Sequence, residues 1–379
     1  MSSPSPGPHA DLRVLRIYHS GVVRDWRARD RALADQGVDV TLITPHRWNE
    51  GGRDVELVTG PDEQLVSART IGRHPYRFVY DPRVLWRVLR TERFDVIDIH
   101  EEPASLATAE VLLLARLAGR RTPVCLYCAQ NIEKRYPVPF RWFERVALRR
   151  AAAVHTCNEA AGAILRRKGF RGIVENLGLG VDERRFVARS DPAPVAASDA
   201  GPFRVGYVGR LEAHKGVGVL IDAVATLPAV ELEIVGAGPE RDALEGQVAR
   251  LGLADRVTFT GFRPADQVAD LYASFDVLSV PSLETPGWIE QFGRVAVEAM
   301  AAGVPVVASA SGSLVEVVGR AGVLVPPGDA AALAAAIDRL ATAPDERLRL
   351  AAASRVHAER WSWPAIARRQ AALYRMVAR

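Results

Sequence analysis

Cysteine is scarce in this chain of 379 residues. Its three cysteines, Cys125, Cys128 and Cys157, are an odd number, and the start, MSSPSPGPHADL, has no apolar core of the kind that secretion signals carry. We therefore expect a cytoplasmic protein with reduced thiols. Cys125 and Cys128 have metal-site spacing, but they lie on a predicted strand, where residues three apart point to opposite faces. We do not expect them to share a metal or form a redox pair.

Long apolar runs are also absent, since none reaches the ~18 residues that a membrane-spanning helix needs. The chain has no Asp-x-Asp pair to hold a metal-bound diphosphate and no phosphate loop of the GxxxxGK type. Gly236-Ala-Gly238 is only a fragment of the dinucleotide-binding pattern, and no group of His, Cys and Asp has the spacing of a metal site. We expect no metal, no cofactor and no nucleic-acid partner.

Neither sign of charge is in large excess, because 49 Lys and Arg stand against 45 Asp and Glu. Nearly all the cations are arginines, and lysine occurs only at Lys134, Lys168 and Lys215. The first 200 residues hold 31 basic and 25 acidic side chains, whereas the remainder hold 18 and 20. A basic first half suggests attraction to an anionic partner, although a solvated arginine-rich surface is the other interpretation.

Short β-branched runs alternate with longer helical stretches throughout the chain. Runs such as VDVTLITP and FDVIDIHEE in the first half, and VELEIVGAG and FDVLSVPS in the second, predict strands. This alternation predicts an α/β fold of two Rossmann-like domains with parallel sheets. The small, Pro-rich stretch 189–202 predicts a linker. We expect an N-terminal domain over 1–188, a second domain over 203–362, and a last helix over 363–379 that packs on the first domain.

The first candidate site runs from Val208 to Gly216, out of a strand and into a helix expected to begin near Lys215. In parallel sheets, ligands bind beyond the carboxyl ends of the strands. Gly209 permits a tight backbone turn, and Arg210 and Lys215 enter the loop together, which suits a diphosphate. The alternative is an ordinary strand–helix turn with two solvated cations.

The second candidate site runs from Glu290 to Glu298 and follows the predicted strand FDVLSVPS. A helix is expected to begin near Gly293, where its free N–H groups form an anion site. Glu290 precedes this helix end, and Glu298 lies about 7.5 Å beyond Gly293 along the axis. The two carboxylates are thus spaced to accept hydrogen bonds from two different sugars. The alternative is an amphipathic helix with two exposed acids, although the apolar flank of this helix favours partnered acids.

Together, the two segments resemble glycosyltransferase family 4, the large retaining GT-B group. The order GRL…KG, then GAG, then E-x-FG-x-x-x-x-E-AMA-x-G-x-PVV is specific and covers essentially the whole C-terminal half. The resemblance implies two facing Rossmann-like domains with a nucleotide sugar in a central cleft, the donor domain being the second. It also implies that Phe292 and Gly293 offer backbone N–H groups to phosphate or sugar.

The resemblance assigns roles to four charged residues. Arg210 and Lys215 would hold the donor diphosphate and stabilise its developing charge. Glu290 would contact the transferred sugar, and Glu298 would bind the nucleotide ribose. The family reaction retains the anomeric configuration. The acceptor attacks on the side of the leaving group, and the diphosphate helps to take its proton, so that no protein nucleophile is required.

The chain departs from the family at three places. The first loop, HSGV, has only Gly21 where the family has paired glycines close to the diphosphate. The family histidine that often follows the strand PVCLYCAQ is absent, so Gln130 or Asn131 would have to orient the sugar. His100, which ends the strand FDVIDIHEE, is another candidate, or else a buried structural histidine. The loop over 284–289 is longer than usual and is expected to shape the sugar pocket.

These features predict a retaining glycosyltransferase that uses a nucleoside-diphosphate sugar, UDP- or GDP-linked. The acceptor would be a hydroxyl of a small molecule or glycan, with a lipid as a further option. One rival is a nucleotide-sugar 2-epimerase of the same fold, against which the GRL…KG segment speaks. Another is a non-catalytic sugar-binding protein, against which the complete set of four charged residues argues.

Two basic stretches with interleaved aromatics lie in the first half. Seven arginines and two acids lie over 69–93, and ten basic and two acidic residues lie over 134–171. Basic aromatic helices can lie on an anionic membrane, so weak contact with the inner face of the membrane is one interpretation. Because Arg141, Arg145 and Arg149 share one helix face, a solvated surface combined with a soluble acceptor is the other.

Overall fold

The computed structural model describes residues 12–50, 52–60, 63–186 and 201–379. The chain divides into two compact units. The N-terminal unit comprises Met1–Gly178 and Trp363–Arg379, and the C-terminal unit comprises Leu179–Ser362. Of the predicted linker, 189–202, all but the last two residues lie outside the described residues.

The N-terminal unit is built on a seven-stranded parallel sheet. The described strands of this unit, seven in the sheet and four in two small hairpins, are β1 (Leu12–Ile17), β2 (Val38–Pro45), β3 (Arg47–Glu50), β4 (Arg53–Glu56), β5 (Leu65–Ala68), β6 (Thr70–Ile71), β7 (Val79–Tyr80), β8 (Val96–Ile99), β9 (Val124–Cys128), β10 (Ala153–Thr156) and β11 (Ile173–Asn176). The order in the sheet is β11-β10-β9-β8-β1-β2-β5, and each neighbouring pair is parallel. The antiparallel hairpins pair β3 with β4 and β6 with β7. The central strands β1 and β8 are buried on both faces, in keeping with their mainly apolar sequences.

The C-terminal unit has a six-stranded parallel sheet of its own. Its strands are β12 (Phe203–Val208), β13 (Val230–Val235), β14 (Val257–Gly261), β15 (Val277–Val280), β16 (Val306–Ser309) and β17 (Val323–Val325). The order is β14-β13-β12-β15-β16-β17, again with parallel neighbours. The predicted α/β class with two parallel-sheet domains is therefore confirmed.

Helices connect the strands in both units. They are α1 (Ala28–Ala34), α2 (Pro82–Thr91), α3 (Leu106–Leu117), α4 (Phe140–Arg150), α5 (Glu159–Arg167), α6 (Val217–Ala225), α7 (Arg241–Arg250), α8 (Ala265–Tyr272), α9 (Arg294–Ala301), α10 (Leu314–Val318), α11 (Ala330–Thr342), α12 (Pro344–Ala358) and α13 (Trp363–Ala378). Several begin at a side chain that accepts a backbone N–H of the first turn, as Ser105 does for α3 and Asp329 for α11. Within the described ranges, no helix has both the length and the apolar composition needed to span a bilayer.

The last helix, α13, belongs to the N-terminal unit. Its buried residues Ile366, Ala371 and Tyr374 join a core with Val14 of β1 and Leu33 of α1. The hydroxyl of Tyr374 also donates a 2.8 Å hydrogen bond to the Asp98 carboxylate within the sheet. Each fully buried large apolar side chain contributes about 1.5–3 kcal/mol relative to exposure, so this helix is a structural part of the unit.

Both sheets have a point at which the strand order reverses. In the N-terminal unit, the chain runs from β1 to β2 and β5 on one side of the sheet. It then returns to β8 on the other side of β1 and continues outward to β9, β10 and β11, so the reversal falls between β1 and β8. In the C-terminal unit the same reversal falls between β12 and β15. Open parallel sheets bind ligands beyond the carboxyl ends of the strands at such points. The loops after β1, β8, β12 and β15 are therefore where a site is expected.

Candidate active site

The C-terminal unit brings the loops after β12 and β15 into close contact. A single helical turn, Ala213–Lys215, ends at Gly216, which has φ 70°. A Cβ at Gly216 would lie 2.0 Å from the carbonyl oxygen of Pro281, so only glycine allows this approach. The N–H of Leu283 donates to the carbonyl of His214 at 2.8 Å and holds the two loops together.

Lys215 and Glu290 meet at this contact. The Lys215 ammonium lies 2.8 Å from Oε2 of Glu290, and the hydroxyl of Ser282 donates to the same oxygen at 3.0 Å. The lysine and glutamate side chains are only 18% and 11% exposed. Because water is largely excluded, their attraction is stronger than that of an exposed surface pair. The structure thus joins two of the predicted catalytic residues into one ion pair.

The longer loop over 284–289 folds over this ion pair. Its backbone closes as a small hairpin, with Thr285 and Trp288 exchanging hydrogen bonds of 2.9 and 3.2 Å. The ring centre of Trp288 lies 4.5 Å from the Lys215 ammonium and 3.9 Å from the His214 ring. A cation above an indole face is attracted to it, so Trp288 helps to fix the position of Lys215.

Arg210 lies outside the Lys215–Glu290 pair. Its guanidinium is 2.6 Å from the Glu212 carboxylate, and its side chain is 56% exposed. Burial lowers the pKa of His214, and the charges of Lys215 and Arg210 lower it further, against the opposing effect of Glu212. Arg210 and Lys215 therefore both lower the pKa of His214, a residue of the same short loop. Lys215 is thus a largely buried, paired cation, whereas Arg210 is exposed and paired with Glu212.

Helix α9 begins directly after Gly293, as predicted from the sequence. Gly293 has φ 78° and ψ 50°, and an added Cβ would lie 2.4 Å from a methyl group of Leu314. Both the positive φ and the close approach of Leu314 therefore require glycine at this position. Phe292 is 2% exposed, and its ring packs edge-on against Trp361. Its side chain thus serves the core, so only its backbone is a candidate for contact with a ligand.

Glu298 lies on α9 and is not an exposed acid. Tyr272 donates its hydroxyl to Oε2 at 2.9 Å, and the Arg294 guanidinium is 3.2 Å from Oε1. The glutamate side chain is only 14% exposed. Since the Glu290 residue is also buried, at 8% exposure, the alternative of two exposed acids on this helix is wrong.

Gly209 lies where the loops after β12 and β13 touch. Its N–H donates to the carbonyl of Val235, and a Cβ on Gly236 would lie 1.8 Å from the Gly209 carbonyl oxygen. The N–H of Leu211 donates to the carbonyl of Ala237 at 2.9 Å. The GRL and GAG segments of the sequence are thus packed backbone to backbone, and this explains their glycines.

In the N-terminal unit, Gly21 lies in the single helical turn His19–Val22 after β1. Its N–H donates to the Tyr18 carbonyl and its own carbonyl accepts from Arg27 at 2.9 Å. An added Cβ would lie 3.0 Å from side-chain atoms of Leu42 and Thr44. The backbone polar groups of Gly21 are therefore used within the unit, and close packing accounts for the glycine.

His100 is a buried structural histidine. It is 3% exposed, its ring stacks on Tyr127 at 3.9 Å, and its Nδ1 lies 3.3 Å from the Arg16 guanidinium. Burial and the neighbouring arginine lower the pKa of His100 well below its usual range. Polar atoms of Asp98, His100 and His155 lie within 4.8 Å of one another, a grouping that sequence spacing does not reveal. Arg16 is 3.4 Å from Asp98, so a guanidinium already supplies the positive charge in this cluster.

Gln130 and Asn131 follow β9 at the carboxyl edge of the sheet. Gln130 is 8% exposed, its amide nitrogen lies 3.4 Å from the Tyr76 hydroxyl, and its Oε1 accepts from the N–H of Ile132. Asn131 is half-buried. The Tyr76 hydroxyl is in turn 3.4 Å from that of Tyr136. These amides thus lie in a polar, aromatic setting, away from the point at which the strand order reverses.

A second charged pair was not predicted from the sequence. His19 follows β1 and Glu101 follows β8, and the two side chains hydrogen bond at the reversal point of the N-terminal sheet. The only available signal was that each residue directly follows a buried strand. The separation of 82 residues hides their contact until the order of the strands is known.

Comparison with known proteins identifies the class of enzyme. Residues 20–175 match the family described as Glycosyl transferase 4-like domain, and residues 193–357 match Glycosyl transferases group 1. A 2-deoxystreptamine N-acetyl-D-glucosaminyltransferase of Streptomyces fradiae is 31% identical over 90% of this chain and 91% of its own length. A 2-deoxystreptamine glucosyltransferase of Streptomyces kanamyceticus is 32% identical over 82% and 87%.

Solved structures show the same architecture. Sucrose-phosphate synthase from Thermosynechococcus elongatus aligns with a TM-score of 0.72 and 24% identity over 96% of this chain and 98% of its own. HepE of Anabaena, solved with UDP and glucose, aligns with a TM-score of 0.71 and 23% identity over the same shares. The fold is GT-B. The chain belongs to the glycosyltransferases that combine an N-terminal glycosyl transferase 4-like domain with a C-terminal domain of glycosyl transferases group 1. The predicted class of enzyme, a glycosyltransferase, is therefore confirmed.

Proposed function

We propose that this glycosyltransferase transfers a sugar, with retention of configuration, from a nucleoside-diphosphate sugar to a hydroxyl of a small polyol. The observation that carries the donor proposal is the Lys215–Glu290–Ser282 cluster beside the start of α9, at the reversal point of the C-terminal sheet. It supplies a cation and an acceptor group at the place where parallel sheets bind ligands. Either UDP or GDP fits this chemistry, and the UDP in the HepE structure favours UDP.

The charged residues contact different parts of the donor in this proposal. Lys215, Arg210 and the N-terminal end of α9 face the diphosphate and stabilise the charge that develops as the glycosidic bond breaks. Glu290 accepts a hydroxyl of the transferred sugar, and Glu298 accepts the ribose hydroxyls. No protein nucleophile, divalent metal or cofactor takes part. The donor domain is then 203–362, as proposed from the sequence.

The acceptor is proposed from the relatives. Both of the Streptomyces enzymes, which match most of this chain, are named for 2-deoxystreptamine. A D-inositol 3-phosphate glycosyltransferase of Corynebacterium urealyticum is 37% identical but matches only 46% of this chain. We therefore favour a cationic aminocyclitol over a phosphorylated cyclitol, both being soluble small molecules with ring hydroxyls.

One experiment tests donor and acceptor together. UDP- and GDP-linked glucose and N-acetylglucosamine are incubated with 2-deoxystreptamine, with inositol 3-phosphate, or with no acceptor. Release of nucleoside diphosphate is followed by coupled assay, and the anomeric configuration of the product by NMR. We expect acceptor-dependent release with one donor and a retained anomer. Donor turnover that ignores the acceptor would favour the epimerase rival, and an inverted anomer would overturn retention.

The cellular setting is also a proposal. We propose a cytoplasmic enzyme whose α4 is the surface that would touch an anionic membrane. This helix exposes Trp142 and Val146, each at 56%, next to the exposed Arg141, Arg145 and Arg149. Exposed apolar side chains beside arginines are suited to an anionic lipid surface.

A further inference from the structure

Glu102 follows β8 and is fixed at the carboxyl edge of the N-terminal sheet. Its Oε1 accepts a 2.9 Å hydrogen bond from the N–H of Ala129, and the Cys128 thiol donates to Oε2 at 3.5 Å. Its backbone carbonyl accepts from the N–H of Ser105 and from the Thr108 hydroxyl, both at 2.9 Å. The residue is half-buried. The carboxylate thus has a defined position that solvent still reaches.

This carboxylate has no cationic partner of its own. Among the residues that the structure describes, no lysine, arginine or histidine forms an ion pair with Glu102. Lys168, whose charge acts on Glu102, pairs instead with Glu144 at 2.6 Å, and these two charges offset each other. A charge that is partly removed from water and has no partner is costly. The cluster therefore carries one negative charge that a bound cation would neutralise.

Two tyrosines lie within electrostatic reach of the carboxylate. Burial raises the pKa of both Tyr76 and Tyr136, and the charge of Glu102 contributes to the rise in each. Their ring centres are 5.7 Å apart, and their hydroxyl oxygens are separated by 3.4 Å. The Lys168 ammonium already lies 5.0 Å from the ring centre of Tyr136. Tyrosine rings attract cations and neutral hydroxyls accept hydrogen bonds from them, so these surroundings suit an ammonium group.

The protonation of Glu102 would respond to such a ligand. Burial, with a contribution from the Glu144 charge, raises the pKa of Glu102 to about 7, against the opposing effects of the Ala129 N–H, the Cys128 thiol and Lys168. The titratable side chains that face Glu102 are Tyr76, Tyr127, Cys128, Tyr136, Glu144 and Lys168. Burial raises the pKa of the tyrosines and of the cysteine, so these stay neutral near pH 7. Glu102 is then only partly ionised, and an adjacent cation would favour its ionised form.

We propose that Glu102, Tyr76 and Tyr136 form a binding site for an ammonium group of the acceptor. The inference rests on the proposed function, in which a cationic aminocyclitol is the acceptor, and it names the residues that select this acceptor over a phosphorylated cyclitol. The carboxylate pairs with the ammonium, and the tyrosine hydroxyls accept its remaining hydrogens. Gln130 is a positioning residue, because its amide nitrogen lies 3.4 Å from the Tyr76 hydroxyl. A phosphate group in the same place would be repelled by the carboxylate.

The first test measures binding of 2-deoxystreptamine by calorimetry, with and without UDP, to the wild type, Glu102→Gln and Glu133→Gln. Glu133 is the matched control, since it is an exposed acid of the same unit that pairs with Arg167 at 2.8 Å. Loss of a hydrogen-bonded charge pair should weaken binding to Glu102→Gln by about 10- to 150-fold. Glu133→Gln should bind as the wild type does.

Inositol, a cyclitol without amino groups, is the matched ligand for this test. Its affinity should be the same for the wild type and for Glu102→Gln, because it has no cation for the carboxylate to bind. The proposal is overturned if the wild type does not bind 2-deoxystreptamine under either condition. It is also overturned if Glu102→Gln keeps that affinity within threefold, or if the variant loses affinity for both ligands equally.

The pH dependence of binding by the wild type needs no variant and therefore holds even if Glu102→Gln fails to fold. Protonation of Glu102 removes the charge that the ammonium binds, so affinity for 2-deoxystreptamine should fall as the pH drops through about 7. Between about pH 7.5 and 5.5 the expected loss is about 20-fold. The amino groups of the ligand gain charge over the same interval, which by itself would strengthen binding. Affinity that stays constant or rises toward pH 5.5 contradicts the proposal, as does an undiminished fall in Glu102→Gln.

The two levels of inference fail separately. If the wild type binds 2-deoxystreptamine through Glu102 but transfers no sugar to any acceptor, the site stands and the proposed function fails. If the wild type transfers sugar to 2-deoxystreptamine and Glu102→Gln does so with an unchanged KM for this acceptor, the inference about Glu102 alone is overturned.

Discussion

Replacing Lys215 by methionine removes one charge and keeps a side chain of similar length against Trp288. The ammonium is 2.8 Å from Glu290 and would also face the donor diphosphate. A hydrogen bond to a charged group contributes about 1.5–3 kcal/mol, which corresponds to about 10- to 150-fold in kcat/KM. We expect a loss of at least that size for Lys215→Met, with weaker binding of UDP by calorimetry. A loss is also expected for Arg210→Ala, and the 56% exposure of Arg210 predicts that it is the smaller of the two.

Lys168→Met is the matched control for this prediction. Lys168 pairs with Glu144 at 2.6 Å in the N-terminal unit, and the exposures of the two side chains, 16% and 14%, resemble those of the Lys215–Glu290 pair. Each variant leaves a largely buried carboxylate without its cation, so both should lose thermal stability to a similar degree. Only the Lys215 variant should lose UDP affinity. If Lys215→Met binds UDP and turns over within threefold of wild type, the assignment of the donor site is wrong.

Three further predictions concern the same enzyme. Glu298→Gln should weaken binding of the bare nucleoside diphosphate, whereas Glu290→Gln should mainly lower turnover, and equal affinity losses by calorimetry would contradict this division. Activity should persist in EDTA because two cations and a helix end serve the diphosphate; complete loss, restored by magnesium or manganese, would refute this. Trp142→Ala should reduce co-sedimentation with anionic vesicles at about 0.15 M salt, close to the ionic strength in cells. If the wild type does not bind anionic vesicles at low or physiological salt, the interpretation of α4 as a solvated surface is favoured.

The principal strands were predictable because their burial dictates their composition. Residues 38–45 and 277–280 are mainly apolar and largely buried. The first strand coincides with the predicted run VDVTLITP, and the second lies within the predicted run FDVLSVPS. The short edge strands β5 and β11 were not predicted. Each has four residues and only one strand neighbour, so burial imposes no long apolar run on them. The same reason explains why the hairpin strands β3 and β4 were missed.

The candidate site was predictable as a set of loops but not as a set of contacts. Sequence order placed Lys215 and Glu290 after two strands, and the adjacency of β12 and β15 then brought them together. Nothing in the sequence indicated that Arg210 would turn to Glu212 or that Trp288 would cover Lys215. Such contacts depend on side-chain directions within irregular loops, which have no periodicity for a pattern to reveal.

The same arrangement of side chains occurs in both units. In each, a nitrogen-bearing side chain follows one strand and a carboxylate follows its neighbour across the reversal point: His19 with Glu101, and Lys215 with Glu290. The reason is topological. On either side of the reversal point the chain continues in opposite directions across the sheet, so the loops diverge and leave a gap at the strand ends. Polar side chains that line such a gap must be partnered when no ligand is present, because an unpaired buried charge is costly. An opposite-sign pair therefore satisfies both side chains within the fold, and in the C-terminal unit it places together the groups that the proposed donor would bind.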